Sequence, residues 1–156
     1  MNDTTQQGQA HGFSIIELMI TLAILSIVAA ISIPLYQGYI QTSEMGRVIQ
    51  EMKQIELAVQ NYKLDEGGFP NSLEDVGIDL RDPWGNPYQY LRIEGVSGDA
   101  RGHQRKDHSL VPINSDFDLY SMGEDGDSAP PLTAQSSQDD IVRANNGAFY
   151  GYGRDY

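Results

Sequence analysis

Two groups of carboxylates in this chain are spaced so that they could do chemistry. Glu17 stands directly before residues 18–35, an apolar run of eighteen residues without a charged side chain. The second group lies in residues 123–141, GEDGDSAPPLTAQSSQDDI, and includes Asp125, Asp139 and Asp140. A carboxylate beside an apolar run needs a positive partner, and clustered carboxylates offer the oxygen ligands that Ca²⁺ prefers. The sequence therefore raises two hypotheses, an ion pair near the N-terminus and a cation site in the acidic segment.

The composition argues against several other kinds of chemistry. The chain has a net charge of −12 and a pI near 4.4, which argues against binding nucleic acid through a basic face. It has no cysteine, so thiol catalysis and Cys-based metal sites are excluded. His103 and His108 have no third metal ligand at a suitable spacing, and the P-loop, G-x-S-x-G and H-E-x-x-H patterns do not occur. We expect a protein that is not an enzyme.

From the residues alone, the acidic segment allows two interpretations. The D-x-D-x-D-G spacing and the closing Glu of an EF-hand are missing. A cation would therefore be held by an irregular loop that returns, after Pro130 and Pro131, to a second pair of acids. Alternatively, the segment is a solvated turn in which Asp139 and Asp140 cap a short helix.

A positive partner for Glu17 could come from the chain itself. Cleavage between Gly12 and Phe13 would create an amine four residues before Glu17, within reach on the same helix or from a neighbouring one. A plain membrane anchor or uncleaved signal is the alternative. It is disfavoured because residues 1–12 contain no Lys or Arg, and because a buried Glu17 would cost insertion free energy.

The elements that position Glu17 begin with a membrane span. Residues 18–35 are long enough to cross about 30 Å of hydrocarbon as a helix. Pro34 cannot donate a backbone hydrogen bond, and Gly38 weakens the next turn. We expect either a simple kink where the helix leaves the membrane or a segment that bends when subunits pack.

Beyond Pro34 the helix becomes amphipathic and continues to about Leu64. Its apolar residues recur three or four positions apart, which is typical of a helix with one buried face: Met45, Val48, Met52, Ile55, Val59 and Tyr62. A further helical turn in NSLEDVGI, capped at Asn71 or Ser72, is predicted next.

Two short strands complete the expected core. Residues 88–93, YQYLRI, and 116–122, DFDLYSM, alternate as strands do, with Phe117, Leu119 and Ser121 on one face. The tail NNGAFYGYGRDY is interpreted as edge packing or a free end, or alternatively as an aromatic contact surface. The fold class is α+β, a long N-terminal helix packed on a small antiparallel β-sheet.

The stretch GFSIIELM, followed by a long apolar helix, resembles the type IV prepilin signature. The resemblance implies that a membrane aspartic peptidase, the prepilin peptidase and methyltransferase, cuts after Gly12 and N-methylates Phe13. It also implies that Glu17 and Pro34 act in filament assembly. The implied lollipop comprises a leader, residues 1–12, a transmembrane and filament-core half-helix, residues 13–36, and a periplasmic globular domain, residues 37–156.

Downstream, YKLDEGGFP, DPWGNPYQY and YSMGEDG resemble, in that order, the major pseudopilins of type II secretion systems. The segment before DPWGNPY is short for that family, so the chain is similar to a short or divergent member. The resemblance implies a structural calcium ion in the acidic loop. Its ligands would be Asp125, Asp139, Asp140 and the backbone carbonyl of Met122.

The resemblance also implies partners and a location. The chain would be a single-pass protein of the bacterial inner membrane that assembles with copies of itself into a helical homopolymer, a periplasmic or surface filament. Minor pseudopilins and an inner-membrane assembly platform would be further partners, and nucleic acid would not. Two alternatives remain: a type IV pilin for adhesion, motility or a conductive filament, and an anchored periplasmic module that does not polymerise.

Overall fold

The computed structural model describes residues 12–95 and 102–156, which divide into two compact units. The first unit ends at Gln41 and the second comprises Thr42–Tyr156. Helix α1, Ile15–Glu66, contributes residues to both units. The predicted helix over residues 13–64 is thus confirmed with a shift of two residues at each end. The leader, residues 1–11, lies outside the described residues.

In the first unit, every residue from Gly12 to Tyr39 is exposed. In the second unit, α1 buries the predicted apolar stripe, and Val48, Met52, Ile55 and Val59 are completely inaccessible to solvent. The helix ends where Gly67, with φ of 79°, donates its N–H to the carbonyl of Lys63 at 2.9 Å. A residue in the left-handed region at this position is a common helix terminator.

The described residues form one four-stranded antiparallel sheet in the order β1-β2-β3-β4. Its strands are β1 Gln89–Arg92, β2 Phe117–Ser121, β3 Ile141–Ala144 and β4 Phe149–Tyr152. The two predicted strands are confirmed as β1 and β2, and the expected α+β class holds. The tail, interpreted as edge packing or a free end, supplies β4 at the edge of the sheet, and its residues Phe149–Tyr152 pair along their whole length with β3.

Both faces of the sheet are covered. On one face, Phe117, Leu119 and Ile141 pack with the buried stripe of α1. On the other, Val142 and Ala144 form a second cluster with Ile113 and Leu132, which come from irregular segments before and after β2. All four residues of β3 are therefore buried. These irregular segments, rather than a second helix, therefore cover this face of the sheet through side-chain contacts.

The helical turn in NSLEDVGI is a short 3₁₀ helix, Glu74–Val76, preceded by Leu73. Neither Asn71 nor Ser72 caps it, so that prediction was wrong. Their backbone N–H groups instead donate to the carboxylate of Asp75, at 2.8 and 3.0 Å. An acidic side chain inside the turn therefore organises the residues before it.

Candidate functional site

The bond between Gly12 and Phe13 lies in an exposed segment before α1. Gly12, Phe13 and Ser14 are not helical, and Phe13 is 81% exposed. The helix begins after Ser14, whose Oγ accepts a hydrogen bond from the backbone N–H of Glu17 at 3.2 Å. This is the contact of an N-cap with the third helical residue. Both residues of the predicted cleavage bond are thus exposed and non-helical.

Glu17 and Pro34 both lie on the exposed surface of α1. Glu17 is in the first turn, where a carboxylate interacts favourably with the partial positive charge of the helix N-terminus. Pro34 lies inside the helix, which continues on both sides of it. Their roles in assembly stay predictions.

The surface around these two residues is almost entirely apolar. Within the described residues, α1 is the one helix long and apolar enough to cross a membrane, and none of its apolar window is buried within the chain. Apolar patches of this extent on a folded protein indicate a surface covered by lipid or by another protein. The exposed large side chains of the first unit that begin this patch are Phe13, Ile15, Ile16, Leu18, Met19, Ile20, Leu22, Ile24 and Leu25.

The DPWGNPY turn positions the start of the acidic loop. Asp82 is buried, and its Oδ1 accepts the backbone N–H groups of Trp84 and Asn86, at 3.1 and 2.8 Å. Its Oδ2 accepts the hydroxyl of Ser121 at 2.7 Å. Asn86 Nδ2 then donates to the carbonyl of Gly123 at 2.9 Å. The DPWGNPY turn therefore holds the start of the loop after β2 in place.

Two of the predicted calcium ligands lie side by side. The carboxylate of Asp139 accepts the backbone N–H of Asp125 at 3.1 Å. Gly123, with φ of 67°, is packed so closely on Asp139 that a Cβ there would overlap its carboxylate. Asp125 Oδ1 accepts the N–H of Asp127 at 2.8 Å. The carboxylates of Asp125 and Asp139 thus hold the loop's own backbone.

The third predicted carboxylate, Asp140, points into the protein. It is fully buried, and its Oδ2 accepts hydrogen bonds from Arg105 Nη2 at 2.5 Å and from Ser128 Oγ at 2.6 Å. Burial raises the pKa of the Asp140 carboxyl, and the Ser128 hydrogen bond and the Arg105 charge oppose that shift. Arg105 is itself only 2% exposed. The buried carboxylate therefore has a buried cation beside it.

The three carboxylates predicted to bind calcium lie in two different settings among the described residues. No group of three or more His, Cys, Asp or Glu side chains that could hold a metal ion occurs in the described part of the chain. Asp125 and Asp139 come together, whereas Asp140 is bound by a guanidinium. Calcium binding stays a prediction.

A second buried arginine links the sheet to α1. Arg143 in β3 contacts Glu56 of α1 at 2.9 Å and Asp116, before β2, at 2.6 Å. Its guanidinium also lies over the ring of Phe117, 4.1 Å from the centroid. Burial lowers the pKa of Arg143, but the two carboxylates raise it by more. Tyr150 donates its hydroxyl to the other oxygen of Glu56.

Sequence reasoning missed both arginines and the cap of α1. For Ser14 a local signal existed, because Ser14 and Glu17 stand in the S-x-x-E spacing of a capping box. Arg105 and Arg143 carry no such signal. Their carboxylate partners Asp140 and Glu56 are 35 and 87 residues away in the chain.

Comparison with known proteins finds a match to one family model and similarity to several named relatives. Residues 8–33 match the family described as the prokaryotic N-terminal methylation motif. The chain is similar to the type II secretion system core protein G of Pseudomonas aeruginosa, at 29% identity over 78% of this chain and 88% of the relative. The same named protein of Aeromonas hydrophila is 27% identical over the same shares.

A different relative matches a smaller part of the chain. The type IV major fimbrial protein FimA of Dichelobacter nodosus is 50% identical over 54 residues, which is 35% of each chain. No solved structure matches the chain.

Proposed function

We propose that the chain is a structural subunit of a pseudopilus, because it is similar over most of its length to type II secretion system core protein G. This periplasmic filament would support type II protein secretion. The observation that carries the proposal is the extent of the similarity. The match to core protein G covers 78% of the chain, whereas the match to FimA covers 35%.

In this role the exposed Gly12–Phe13 bond is the substrate of the prepilin peptidase, which also methylates the new amine of Phe13. The processed subunit waits in the inner membrane, with the apolar half of α1 in the bilayer and the second unit in the periplasm. During assembly, the amine of Phe13 on one subunit meets Glu17 of another. The charge that is costly in lipid then becomes a contact that sets the register.

The partners follow from the same proposal. Copies of the chain form the filament, which minor pseudopilins and an inner-membrane assembly platform help to build. The role is structural rather than enzymatic.

A genetic experiment separates this proposal from its main alternative. The gene is deleted in the source bacterium and restored as wild type or as Gly12→Glu, a change that places a charged side chain at the cleavage bond. We expect that the deletion and the variant leave secreted proteins trapped in the periplasm, while surface pili and twitching motility are unchanged.

Loss of pili and twitching with normal secretion would instead support a type IV pilin subunit. The 50% identity to the fimbrial protein FimA over 54 residues gives that alternative its own basis. As a check on processing, the wild-type chain should lose the mass of residues 1–12 and gain one methyl group, and the Gly12→Glu chain should do neither.

A further inference from the structure

We infer that the guanidinium of Arg105 is the cation of the acidic loop, in the place where the family resemblance expects calcium. The starting point is Asp140, which is completely buried at the entry to β3. Burying an ionised carboxylate without a cation or hydrogen-bond donors is strongly unfavourable. A cation or hydrogen-bond donors beside Asp140 are therefore needed for this loop to pack.

Arg105 meets that condition with several contacts. Nη2 donates to Asp140 at 2.5 Å, and Nη1 donates to the Ser128 hydroxyl and the Ala129 carbonyl, both at 2.6 Å. The guanidinium also lies over Tyr120 of β2, 4.3 Å from the ring centroid. The acceptors of Arg105 are thus one carboxylate, one hydroxyl and one carbonyl, and Ca²⁺ also binds oxygen ligands. In this loop the Arg105 side chain forms hydrogen bonds with all three oxygens.

The backbone around Arg105 is held so that its side chain has little freedom. Its N–H donates to the buried carboxylate of Asp118 at 2.7 Å, and its carbonyl accepts the N–H of Ile113 at 3.1 Å. The next residue, Lys106, pairs with Pro130 and Leu132 through backbone hydrogen bonds of 3.1 and 2.9 Å. Arg105 is thus a fixed part of the layer that covers the second face of the sheet.

The contacts of Arg105 connect chain segments that a bound cation in this loop would also connect. They join the segment before β2, the middle of the acidic loop at Ser128 and Ala129, and the start of β3 at Asp140. Ser128 also donates to Asp140 directly, at 2.6 Å. Within the described residues, Asp140 Oδ1 has no hydrogen-bond partner. It is the atom of Asp140 through which an added cation could still act, so the test includes calcium.

The test is thermal unfolding of the full chain in detergent micelles, followed by the near-ultraviolet circular dichroism of the aromatic side chains. Wild type is measured in EDTA and in millimolar calcium. Three variants are measured in EDTA: Arg105→Gln, Arg105→Lys and Arg154→Gln. Arg154 is the matched control, because it is exposed and its guanidinium lies over Tyr152, 4.2 Å from the ring centroid.

We expect the same melting temperature for wild type in EDTA and in calcium. Arg105→Gln should lower it by about 10 °C, since a buried carboxylate loses its cation. Arg105→Lys should fall between the two, because it keeps the charge but not the fork of donors. Arg154→Gln should match wild type.

Two results would overturn the inference. One is a wild-type melting temperature that rises with calcium and falls with EDTA, which needs no variant and would restore the calcium hypothesis. The other is an Arg105→Gln chain as stable as wild type. If Arg105→Gln does not fold, Arg105→Lys and the wild-type pair still decide. Because the assay uses the isolated chain, its outcome is independent of whether the filament serves secretion or motility.

Discussion

The two halves of α1 are the same secondary structure with opposite surroundings. In the first half, residues 15–41, apolar side chains lie on all sides and remain exposed, with Leu25 63% accessible. In the second half, Val48, Met52, Ile55 and Val59 are completely buried under the sheet. A polar face opposite that stripe includes Lys53 and Gln60.

The difference shows what each half needs. The second half finds its cover within the chain, so its residues determine whether the globular unit folds. The first half finds none among the described residues, so its cover must come from lipid or from the helices of other subunits. Changes in the first half should therefore alter assembly without unfolding the second unit, and changes in the second half should do the reverse.

The largest effect is expected from Glu17→Val. This change removes the carboxylate proposed to meet the Phe13 amine of a neighbouring subunit, while it makes the span more apolar. Most of the sedimentable filament should be lost, with the chain still processed and still in the membrane. Filaments released by disrupting the outer membrane, collected by centrifugation and quantified by immunoblot, give the measurement.

Glu66→Val is the control, at the exposed C-terminal end of the same helix. It should assemble as wild type does. Normal assembly of Glu17→Val would break the comparison and support the alternative of an anchored module that does not polymerise.

Arg143→Ala tests the charged contact between the sheet and the second half of α1. Removing a buried partner leaves Glu56 and Asp116 uncompensated, which should cost about 3–5 kcal/mol of the free energy of unfolding. Denaturant unfolding of the micelle-bound chain measures the loss. Arg47→Ala is the control, because its ion pair with Glu51 on α1 is exposed at the arginine and should contribute nothing measurable. Equal effects of the two changes would contradict the structural role of Arg143.

A matched pair of methionines sharpens the comparison further. Met52 is fully buried, and Met52→Ala should destabilise the second unit by about 2–5 kcal/mol through lost burial and a cavity. Met19 is 66% exposed, and Met19→Ala should leave the unfolding of that unit unchanged. A loss of similar size for Met19→Ala in micelles would mean that the first half also contributes to folding.

The halves of α1 were predictable from the sequence because helical periodicity is a local signal. The stripe from Met45 to Tyr62 and the alternation of β2 needed only neighbouring residues to be recognised. Strand β3, IVRA, was missed because it is buried on both faces and so shows no alternation. Strand β4 was missed because FYGY lies in a Gly- and Tyr-rich tail with weak strand propensity at Gly151.

The candidate sites show the same limit. Gly12, Phe13 and Glu17 form a motif within six residues, so the sequence alone is enough to predict them as a site. The partner of Asp140 was not predictable, because Arg105 lies in an irregular loop 35 residues earlier in the chain. Only the folded sheet brings that loop over Tyr120 and next to the start of β3.

The smallest expected effect concerns the start of α1. Ser14→Ala removes the hydroxyl that accepts the N–H of Glu17, and an N-cap of this kind contributes about 1 kcal/mol to the first turn. We expect faster hydrogen exchange of the amides of residues 15–18 in micelles, with no change in the unfolding of the second unit.

Ser26→Ala is the matched control for this last change. The Ser26 hydroxyl donates to the carbonyl of Leu22 at 2.7 Å inside the helix. That carbonyl also accepts a backbone hydrogen bond of the helix, so it keeps a partner without the hydroxyl. Its loss should leave exchange in the first turn unaltered. If Ser14→Ala behaves like Ser26→Ala, the exposed conformation of Gly12 and Phe13 does not depend on the cap. If it frays the first turn alone, Ser14 sets the boundary between the segment that the peptidase would cut and the helix that enters the filament.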